Sequence, residues 1–494
     1  MRDFVVFIIP LLVLGLIVIK NRYLGAFFIV AGYFLGLSEY LAYKIGGEHV
    51  DLFTLLRIDT DMLLMAPKVI GKLFSQTIIL TIFVMTLVIA KLLINNRDEL
   101  VNFIINIINI IVFKIKKNPY LVIAALSSFL ILYTNTSKQI YRLTKEGLEY
   151  AKYSFSTEED ILEKLGSKQK YKGFDKIVSE KGKNLVIIYC ESLETVYMNE
   201  KVFPKLMPRI NQMKERDFKS YENYSTSYGS GWTIGALYAT QTGFPCIFGH
   251  GGNDVFNKIN SNNMVSYAKV IKKAGYTNLF LSNSDLSFGG TGNLMKILGY
   301  DVKGKEDFDV KGVKTAWGVH DYDLFEQAKI EYDKLSKKNK PFNLTMLTVD
   351  THFPKGIPDE RMQSFVQVPF NRELEFSVAT LDYLLADFYS FIKSQPNAQD
   401  TVMIIIGDHP LMGDSMKDKF GKMPRRMVLM TNGYDIAQGK NESIKYYDIP
   451  DIVLETAGIK HNAVFPKKMF DEDFEKLVLK NNSAFMHLNL RLNK

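Results

Sequence analysis

Residues 185–192 read LVIIYCES and residues 401–409 read TVMIIIGDH. Both are short, mostly apolar runs that end in acidic and polar side chains. A run of this length and composition is typical of a strand that is buried on both faces of a sheet. Each strand is followed at once by a carboxylate, Glu191 in the first case and Asp408 in the second. The two stretches therefore predict a sheet with charged side chains at the carboxyl ends of its strands.

The C-terminal two thirds of the chain repeats this pattern of strand and helix. Apolar runs at 279–281, 342–349 and 427–431 predict further strands. Amphipathic stretches at 262–274 and 373–393 predict helices between them. This alternation favours an α/β sandwich with a mainly parallel central sheet, covered by helices on both faces. In such sheets the active site forms at the carboxyl ends of the strands.

Three of these strand ends carry groups that bind metal ions. Glu191 follows the first strand, and Asp350 and His352 follow the strand that begins at residue 342. Asp408 and His409 follow the strand that begins at residue 401. Carboxylate oxygens combined with an imidazole suit Mn²⁺, Mg²⁺ or Zn²⁺. Taken together, the strand ends predict a single divalent metal site.

A glycine-rich turn with a hydroxyl lies between the first two of these strand ends. Residues 228–236 read YGSGWTIGA, and the following residues are compatible with a helix. A helix N-terminus offers free N–H groups and a positive dipole end, which favour a phosphoryl group. Thr233 is the predicted nucleophile, activated by the metal, with a helix N-cap as the alternative role. Spacing alone does not exclude the competing hydroxyl groups of Ser225, Thr226, Ser227 and Ser230.

The first 135 residues are more apolar than the rest and predict a membrane domain. Each of four runs approaches the ~20 residues that cross a ~30 Å hydrocarbon core. The stretch at 100–113 is shorter and holds three asparagines, so we expect an interfacial helix there, with a fifth crossing as the alternative. The four runs are residues 4–19, 23–43, 76–94 and 119–134.

Basic residues in the short loops predict the orientation of this domain. Lys20 and Arg22 lie between the first two runs, and the cluster KIKK at 114–117 precedes the fourth. Under the positive-inside rule both loops are cytoplasmic, so the chain after residue 134 is expected on the outer side. The predicted domains are a membrane domain (1–135), a juxtamembrane linker (136–183), a catalytic domain (184–465) and a C-terminal tail (466–494).

Composition excludes several other classes of protein. The chain has 494 residues, a net charge of +8 and two cysteines. Two cysteines rule out a disulfide scaffold and a four-cysteine zinc site. The positive charge is spread along the chain rather than clustered, so nucleic acid is not an expected partner.

The order of motifs in the outer domain resembles the alkaline phosphatase and sulfatase superfamily. A multi-span membrane domain followed by such a domain is similar to its lipoteichoic acid synthase and phosphoglycerol transferase branch. The stretches CESLE, ATQTGFP and LTVDTHFP look most like the phosphoglycerol transferase I family. The other motifs of the resemblance are FPKLMPRI at 203–210, the Thr233 turn, TVDTHFP at 348–354, IIIGDH at 404–409 and YDIPDIVLETAGI at 447–459.

The resemblance implies a mechanism as well as a fold. Glu191, Asp408 and His409 match the family's metal ligands, with Thr233 completing the set; Mn²⁺ is the expected ion, with Mg²⁺ and Zn²⁺ as alternatives. Thr233 would attack the phosphodiester of phosphatidylglycerol, release diacylglycerol and carry the glycerol phosphate. A hydroxyl of a glycan or of polyglycerolphosphate would then accept that group. The expected location is the bacterial cytoplasmic membrane, with the catalytic domain extracytoplasmic.

Three further site residues follow from the resemblance. His352 matches a histidine that contacts the phosphoglycerol group and serves as acid or base. Trp317 matches a tryptophan near the substrate, and Asp321 follows it. The stretch 287–293 lacks the arginine that the lipoteichoic acid synthases carry there. This difference weakens the interpretation as a lipoteichoic acid synthase more than the interpretation as a transferase with a glucan acceptor.

Several alternatives stay open at this point. A phosphoethanolamine transferase uses the same fold and a threonine, but its usual extra cysteines are absent here. A sulfatase-type hydrolase is disfavoured because neither Cys190 nor Cys246 lies in a CxPxR context. A membrane-anchored binding protein with an inactive domain is disfavoured by the intact ligand set. His250 and His320 are possible pocket residues, but a position on the surface or in a loop is favoured for both.

Overall fold

The computed structural model describes residues 147–493, except 170, 172, 249–254, 260–262, 367–371, 414–415 and 437–441, and a few residues between 21 and 145. The chain divides into two units, residues 1–151 and 152–494. All strands and helices labelled below belong to the second unit.

Most of the predicted membrane domain lies outside the residues that the structure describes. The runs at 4–19 and 119–134 and the 100–113 stretch lie outside the described residues. Within 23–43 and 76–94 the described positions are helical. No helix in the described part of the chain has both the length and the hydropathy that a membrane crossing requires. The four crossings therefore stay a prediction.

The described strands are β1 (Asn184–Cys190), β2 (Lys219–Ser220), β3 (Tyr224–Ser225), β4 (Thr277–Ser282), β5 (Asp301–Lys303), β6 (Phe342–Leu347), β7 (Thr401–Gly407), β8 (Leu429–Thr431) and β9 (Ile444–Lys445). The described α-helices of the second unit that have defined bounds are α1 (Glu158–Lys164), α2 (Pro208–Arg216), α3 (Thr233–Thr242), α4 (Val255–Lys258), α5 (Tyr267–Lys273), α6 (Thr291–Ile297), α7 (Asp321–Ser336), α8 (Glu373–Ser394), α9 (Lys417–Phe420), α10 (Ile449–Thr456), α11 (Phe474–Lys480) and α12 (Asn482–Leu492).

Within the described residues, seven strands form one sheet in the order β2-β8-β7-β1-β6-β4-β5. The five strands from β7 to β5 run parallel, whereas β8 is antiparallel to both β7 and β2. The predicted mainly parallel sheet is thus confirmed. β1 lies in the centre, and its register with β7 runs from Asn184↔Thr401 to Cys190↔Gly407. The carboxyl ends of these two strands therefore lie side by side.

Helices cover both faces of this sheet. Val186, Ile188 and Cys190 of β1 pack with α2, α7 and α8 in one apolar core. Tyr189 points to the opposite face, where its hydroxyl lies 2.8 Å from that of Thr240 in α3. Successive side chains of a strand alternate between faces, and here both faces are buried. This explains why β1 reads as a continuous apolar run instead of an alternating one.

The predicted element bounds hold with small differences. The strand expected at 342–349 ends at Leu347, and the one expected at 427–431 begins at Leu429. The helix expected from residue 262 begins at Tyr267, because the Ser266 side chain caps it by accepting a hydrogen bond from the N–H of Lys269. The helix expected at 373–393 is α8, which ends at Ser394.

The C-terminal tail, by contrast, is folded. Its helices α11 and α12 bury apolar side chains, and the Phe474 and Phe485 rings pack edge to face with centroids 5.5 Å apart. On the N-terminal side, the Arg491 guanidinium donates to the carbonyl oxygens of Tyr153 and Ser154. Residues 466–493 are therefore part of the domain, because both of these helices bury apolar side chains and Arg491 ties the segment to residues 153 and 154.

Candidate active site

The carboxyl ends of β1 and β7 bring two acidic side chains together. Glu191 follows β1 and Asp408 follows β7, and extending the strand register by one residue pairs them. The residue before Asp408 is Gly407, and only glycine fits there because the backbone at Leu193 passes very close. A Cβ on residue 407 would lie 2.1 Å from the Leu193 carbonyl oxygen. Ser192 has a left-handed backbone, with φ of 52°, which turns the chain sharply after Glu191.

Polar groups of the same turn orient the two carboxylates. The N–H of Ser192 donates to Asp408 Oδ1 at 2.8 Å, and the Ser192 hydroxyl donates to Glu191 Oε1 at 2.6 Å. The N–H of His409 donates to the same Oδ1 of Asp408 at 2.7 Å. One oxygen of Asp408 is therefore held by backbone donors, and the other is left to face the space between the side chains.

His409 completes a compact, buried cluster with these carboxylates. Its Nε2 lies 3.4 Å from Glu191 Oε1 and 3.5 Å from Asp408 Oδ2. One ligand atom from each of the three residues lies within 4.8 Å of the others. The exposed fractions are 2% for Glu191 and zero for Asp408 and His409. Of the described residues, this is the set with the spacing that a metal ion requires.

Two details of this cluster fit a divalent cation. Asp408 Oδ2 is buried and has no hydrogen-bond partner among the described residues, an arrangement that is costly unless a cation compensates it. His409 Nδ1 lies 2.9 Å from the carbonyl oxygen of Pro410, which can only accept, so Nδ1 carries the proton. The Nε2 lone pair then points to the carboxylates, as in histidine ligands oriented by a carbonyl.

The charges of the cluster are strongly coupled. Burial and the neighbouring Glu191 charge raise the pKa of Asp408 to about 7. Burial also acts to raise the pKa of Glu191, but the charges of His409 and His352 outweigh it and the pKa is lowered. For His409, burial disfavours the charged form, but Asp408 and Glu191 outweigh it and the pKa is raised. Two buried carboxylates thus compete for one positive charge, which a metal ion would supply.

Thr233 lies at the edge of this cluster. It is the first residue of α3, and its hydroxyl oxygen is 3.3 Å from Glu191 Oε2 and 3.2 Å from His409 Nε2. The N-cap position is Trp232, whose indole is a donor only and cannot accept from the first-turn N–H groups. The helix N-terminus therefore combines a hydroxyl with backbone donors directed at the cluster.

Two of the competing hydroxyls of the turn make other contacts. Ser227 Oγ accepts from the N–H of Tyr446, and Ser230 Oγ donates to the Tyr228 carbonyl oxygen at 3.5 Å. Of the candidate nucleophiles that the sequence did not distinguish, Thr233 is the one whose hydroxyl contacts Glu191 and His409 among the described residues.

His352 and Trp317 form a wall beside the cluster. His352 Nδ1 donates to the Phe353 carbonyl oxygen at 2.7 Å, so its Nε2 is available as an acceptor. The Trp317 ring lies 4.5 Å from the His352 ring, and the Phe288 ring packs edge-on against Trp317 at 5.6 Å. His352 and Trp317 are half-buried and Phe288 is exposed, so this wall borders solvent. The predicted roles of His352 and Trp317 stay predictions.

Asp321 and Asp350 take positions that strand-end spacing did not indicate. Asp321 is buried and accepts from the N–H groups of Val349 and Asp350 and from Asn283 Nδ2. Asp350 turns away from Glu191 and pairs with His320 Nδ1 at 3.0 Å. Both carboxylate oxygens of Asp321 therefore accept hydrogen bonds, two of them from N–H groups just after β6, which suits positioning of the β6 end. Its predicted contact with substrate stays a prediction.

Sequence reasoning missed some residues of this region. His320, for which the sequence favours a surface or loop position, is a buried partner of Asp350. Burial acts to lower the pKa of His320, but the hydrogen bond to Asp350 and its charge outweigh burial and the pKa is raised. Glu194 is also buried, and it accepts from Arg425 and from the N–H of Leu411, two residues after His409. The signal for Glu194 was its position three residues after Glu191 in CESLE. His250 lies outside the described residues.

Comparison with known proteins adds independent information. The family model described as Sulfatase matches residues 183–451. A phosphoglycerol transferase I from Xanthomonas campestris is 32% identical over 268 residues, covering 52% of this chain and 38% of that protein. A phosphoglycerol transferase I from Escherichia coli is 28% identical over 289 residues, covering 56% of this chain and 37% of that protein. The chain thus spans well under half the length of these curated relatives.

Part of this chain also aligns with a solved structure. The lipoteichoic acid synthase LtaP from Listeria monocytogenes is 18% identical, with a TM-score of 0.49. The match covers 62% of this chain and 78% of that one.

Proposed function

This chain belongs to the Sulfatase family, and on that premise we propose that it is a phosphotransferase that moves glycerol phosphate between envelope molecules. The proposed donor is phosphatidylglycerol, and the group transferred is sn-glycerol-1-phosphate. The proposed acceptor is an extracytoplasmic glycan or a polyglycerolphosphate chain. The relatives named phosphoglycerol transferase I support the type of group transferred.

One observation carries this proposal. The Thr233 hydroxyl oxygen lies within 3.3 Å of both Glu191 and His409, at the N-terminus of α3. A hydroxyl in this position suits transfer through a covalent threonine ester, because a nucleophile, ligands and backbone donors for a phosphoryl group converge at one point. The proposed resident ion is Mn²⁺, held by Glu191, Asp408, His409 and Thr233, with Mg²⁺ or Zn²⁺ as substitutes.

The first half-reaction moves the phosphoryl group to the protein. A bound divalent cation supplies the positive charge that favours the deprotonated form of the hydroxyl. The Thr233 oxygen attacks the phosphorus of phosphatidylglycerol, and its proton passes to His352 Nε2. The bond between phosphorus and the diacylglycerol oxygen breaks, and that oxygen takes up the proton from His352. The N–H groups at the start of α3 orient the phosphoryl oxygens.

The second half-reaction releases the group. An acceptor hydroxyl attacks the phosphorus of the threonine ester, and the Thr233 oxygen leaves and regains a proton. His352 is the proposed proton carrier, because the proton on its Nδ1 is held by the Phe353 carbonyl and its Nε2 is free to accept or return another. Trp317 orients this imidazole through the ring contact at 4.5 Å.

The decisive experiment follows the lipid and the protein together. Purified full-length protein in detergent is incubated with phosphatidylglycerol labelled in its terminal glycerol and with Mn²⁺. We expect diacylglycerol release and label on the wild-type protein, and neither with Thr233→Ala. Turnover at the wild-type rate by Thr233→Ala would exclude Thr233 as the nucleophile. Consumption of phosphatidylethanolamine but not phosphatidylglycerol would identify a phosphoethanolamine transferase instead.

The proposed location is the bacterial cytoplasmic membrane, with the catalytic domain extracytoplasmic. Cysteine labelling can test this location, because both native cysteines are buried and are not expected to react with the reagent. Glu180→Cys introduces a thiol at an exposed position of the described domain, and Lys117→Cys introduces one in the loop predicted to be cytoplasmic. A membrane-impermeant maleimide applied to intact cells is expected to label only the first. Labelling of the second alone would reverse the predicted orientation.

A further inference from the structure

The C-terminal segment, residues 466–493, lies beyond the region that matches the family model. It nevertheless packs along α3, the helix that begins at Thr233. The Tyr238 hydroxyl donates to Asn489 Oδ1 at 3.0 Å, and Asn489 Nδ2 donates to the Pro245 carbonyl oxygen at 2.6 Å. These bonds hold the middle of α3 and the chain that leaves it.

The same segment also holds the turn that leads into α3. The N–H of Tyr228 donates to Glu475 Oε1 at 3.0 Å, and Asn482 Nδ2 contacts the Tyr228 hydroxyl at 3.4 Å. From outside the segment, the Tyr447 hydroxyl donates to the Tyr228 carbonyl oxygen at 3.1 Å. Tyr228 is therefore held at its N–H, its carbonyl and its side chain, five residues before Thr233.

Glu475 is the charged residue among the three that contact Tyr228 in these bonds. Its side chain is 23% exposed, and Lys445 Nζ lies 4.0 Å from it on the neighbouring β9. Lys445 Nζ also donates to the Thr226 carbonyl oxygen at 2.9 Å, so the pair holds the turn from two sides. The glycines at 229 and 231 allow the backbone of the turn many conformations. Contacts with residues outside the turn must therefore select the one that is observed.

We propose that Glu475 is a positioning residue for Thr233. By holding the N–H of Tyr228, it fixes the turn that directs the Thr233 hydroxyl between Glu191 and His409. The effect on turnover rests on the proposed role of Thr233 as nucleophile, whereas the effect on the turn does not.

The kinetic test uses full-length protein, phosphatidylglycerol and Mn²⁺. Glu475→Ala is expected to lower kcat by about 10- to 100-fold with KM within about twofold, because the nucleophile is displaced and lipid binding is not. Glu475→Gln is expected to stay close to the wild type, since its amide oxygen accepts the same hydrogen bond. Glu472→Ala, an exposed position in the same segment, is the matched control and is expected to behave as wild type.

A spectroscopic test does not depend on turnover. The chain has two tryptophans, and Trp232 is adjacent to Thr233, so in a Trp317→Phe background its fluorescence reports on the turn. Adding Glu475→Ala is expected to increase acrylamide quenching of Trp232, whereas Glu475→Gln is not. If the alanine variant does not fold, Glu475→Asp withdraws the acceptor by one methylene and is expected to show the same changes in smaller degree.

The outcomes separate the two proposals. If Glu475→Ala lowers only the melting temperature, with kcat per folded molecule and Trp232 quenching unchanged, Glu475 has a purely structural role and the inference is overturned. If no lipid is turned over by any variant, the proposed function fails, and Trp232 quenching still decides whether Glu475 positions the turn.

Discussion

The hydroxyl oxygen of Thr233 lies 3.2 Å from Nε2 of His409, although 176 residues separate the two along the chain. Thr233 starts a helix on one face of the sheet, and His409 follows a central strand. Their contact brings a helix N-terminus to the carboxyl edge of the sheet, where Glu191 and Asp408 already lie side by side.

Metal-free protein is expected to lose stability as pH rises from about 5 to 7. Burial and Glu191 raise the pKa of Asp408 to about 7, so the folded state holds a proton that the unfolded state has already lost in this window. The raised pKa of His409 acts in the same direction at the upper end of the window. The expected loss is on the order of 1–3 kcal/mol, measured by urea unfolding in EDTA at several pH values.

Mn²⁺ and Asp408→Asn provide the controls for that experiment. Saturating Mn²⁺ is expected to remove most of the loss, because the ion takes the place of the missing positive charge. Asp408→Asn is expected to flatten the same profile in EDTA and to abolish the stabilisation by Mn²⁺. An unchanged profile in this variant would mean that the pH dependence arises elsewhere.

Gly235→Ala is expected to impair activity although alanine is the better helix former. A Cβ at this position would lie 2.9 Å from Ser230 Cα and 3.0 Å from the Trp232 ring, so the turn before Thr233 must shift. Helix propensity alone would favour alanine by about 0.5–1 kcal/mol. We expect kcat to fall at least about tenfold in a lipid-release assay. Gly231→Ala, where a Cβ has no neighbour within 4 Å, is expected to keep its activity.

Arg425→Ala is expected to weaken both stability and metal binding. The Arg425 guanidinium pairs with the buried Glu194 and donates to the Leu411 carbonyl oxygen, which ties down the chain just after His409. Breaking the pair leaves Glu194 uncompensated; because Arg425 is 40% exposed, we expect about 2 kcal/mol, less than for a fully buried pair. Urea unfolding and Mn²⁺ titration measure the two effects. Arg426→Ala is the matched control, and equal losses there would contradict the assignment.

Trp317→Ala is expected to weaken lipid turnover by loosening His352. The ring contact at 4.5 Å is worth about 0.5–1.5 kcal/mol, which corresponds to roughly a 2- to 10-fold loss in kcat/KM. Trp317→Phe keeps an aromatic ring and is expected to retain most of the activity. An alanine variant as active as the phenylalanine variant would show that Trp317 does not orient His352.

The sequence predicted the sheet well because its signals are local. β1, β4, β6 and β7 are runs of apolar residues whose length and composition already indicate buried strands. The C-terminal helices were missed for the opposite reason. Residues 466–493 are short, mixed stretches, and their role appears only in their contacts with α3 and its preceding turn.

The order of residues was enough to predict that acids and histidines follow the strands and that a hydroxyl lies at the start of a helix preceded by glycines. Which of these groups come into contact depends on the fold. Glu191 and Asp408 meet because their strands are parallel neighbours in register, whereas Asp350 lies further beyond its strand end and turns to His320. Side-chain direction alternates with each residue along a strand. A difference of one or two residues in the distance of an acid from its strand end therefore decides whether its carboxylate joins the cluster or is buried outside it.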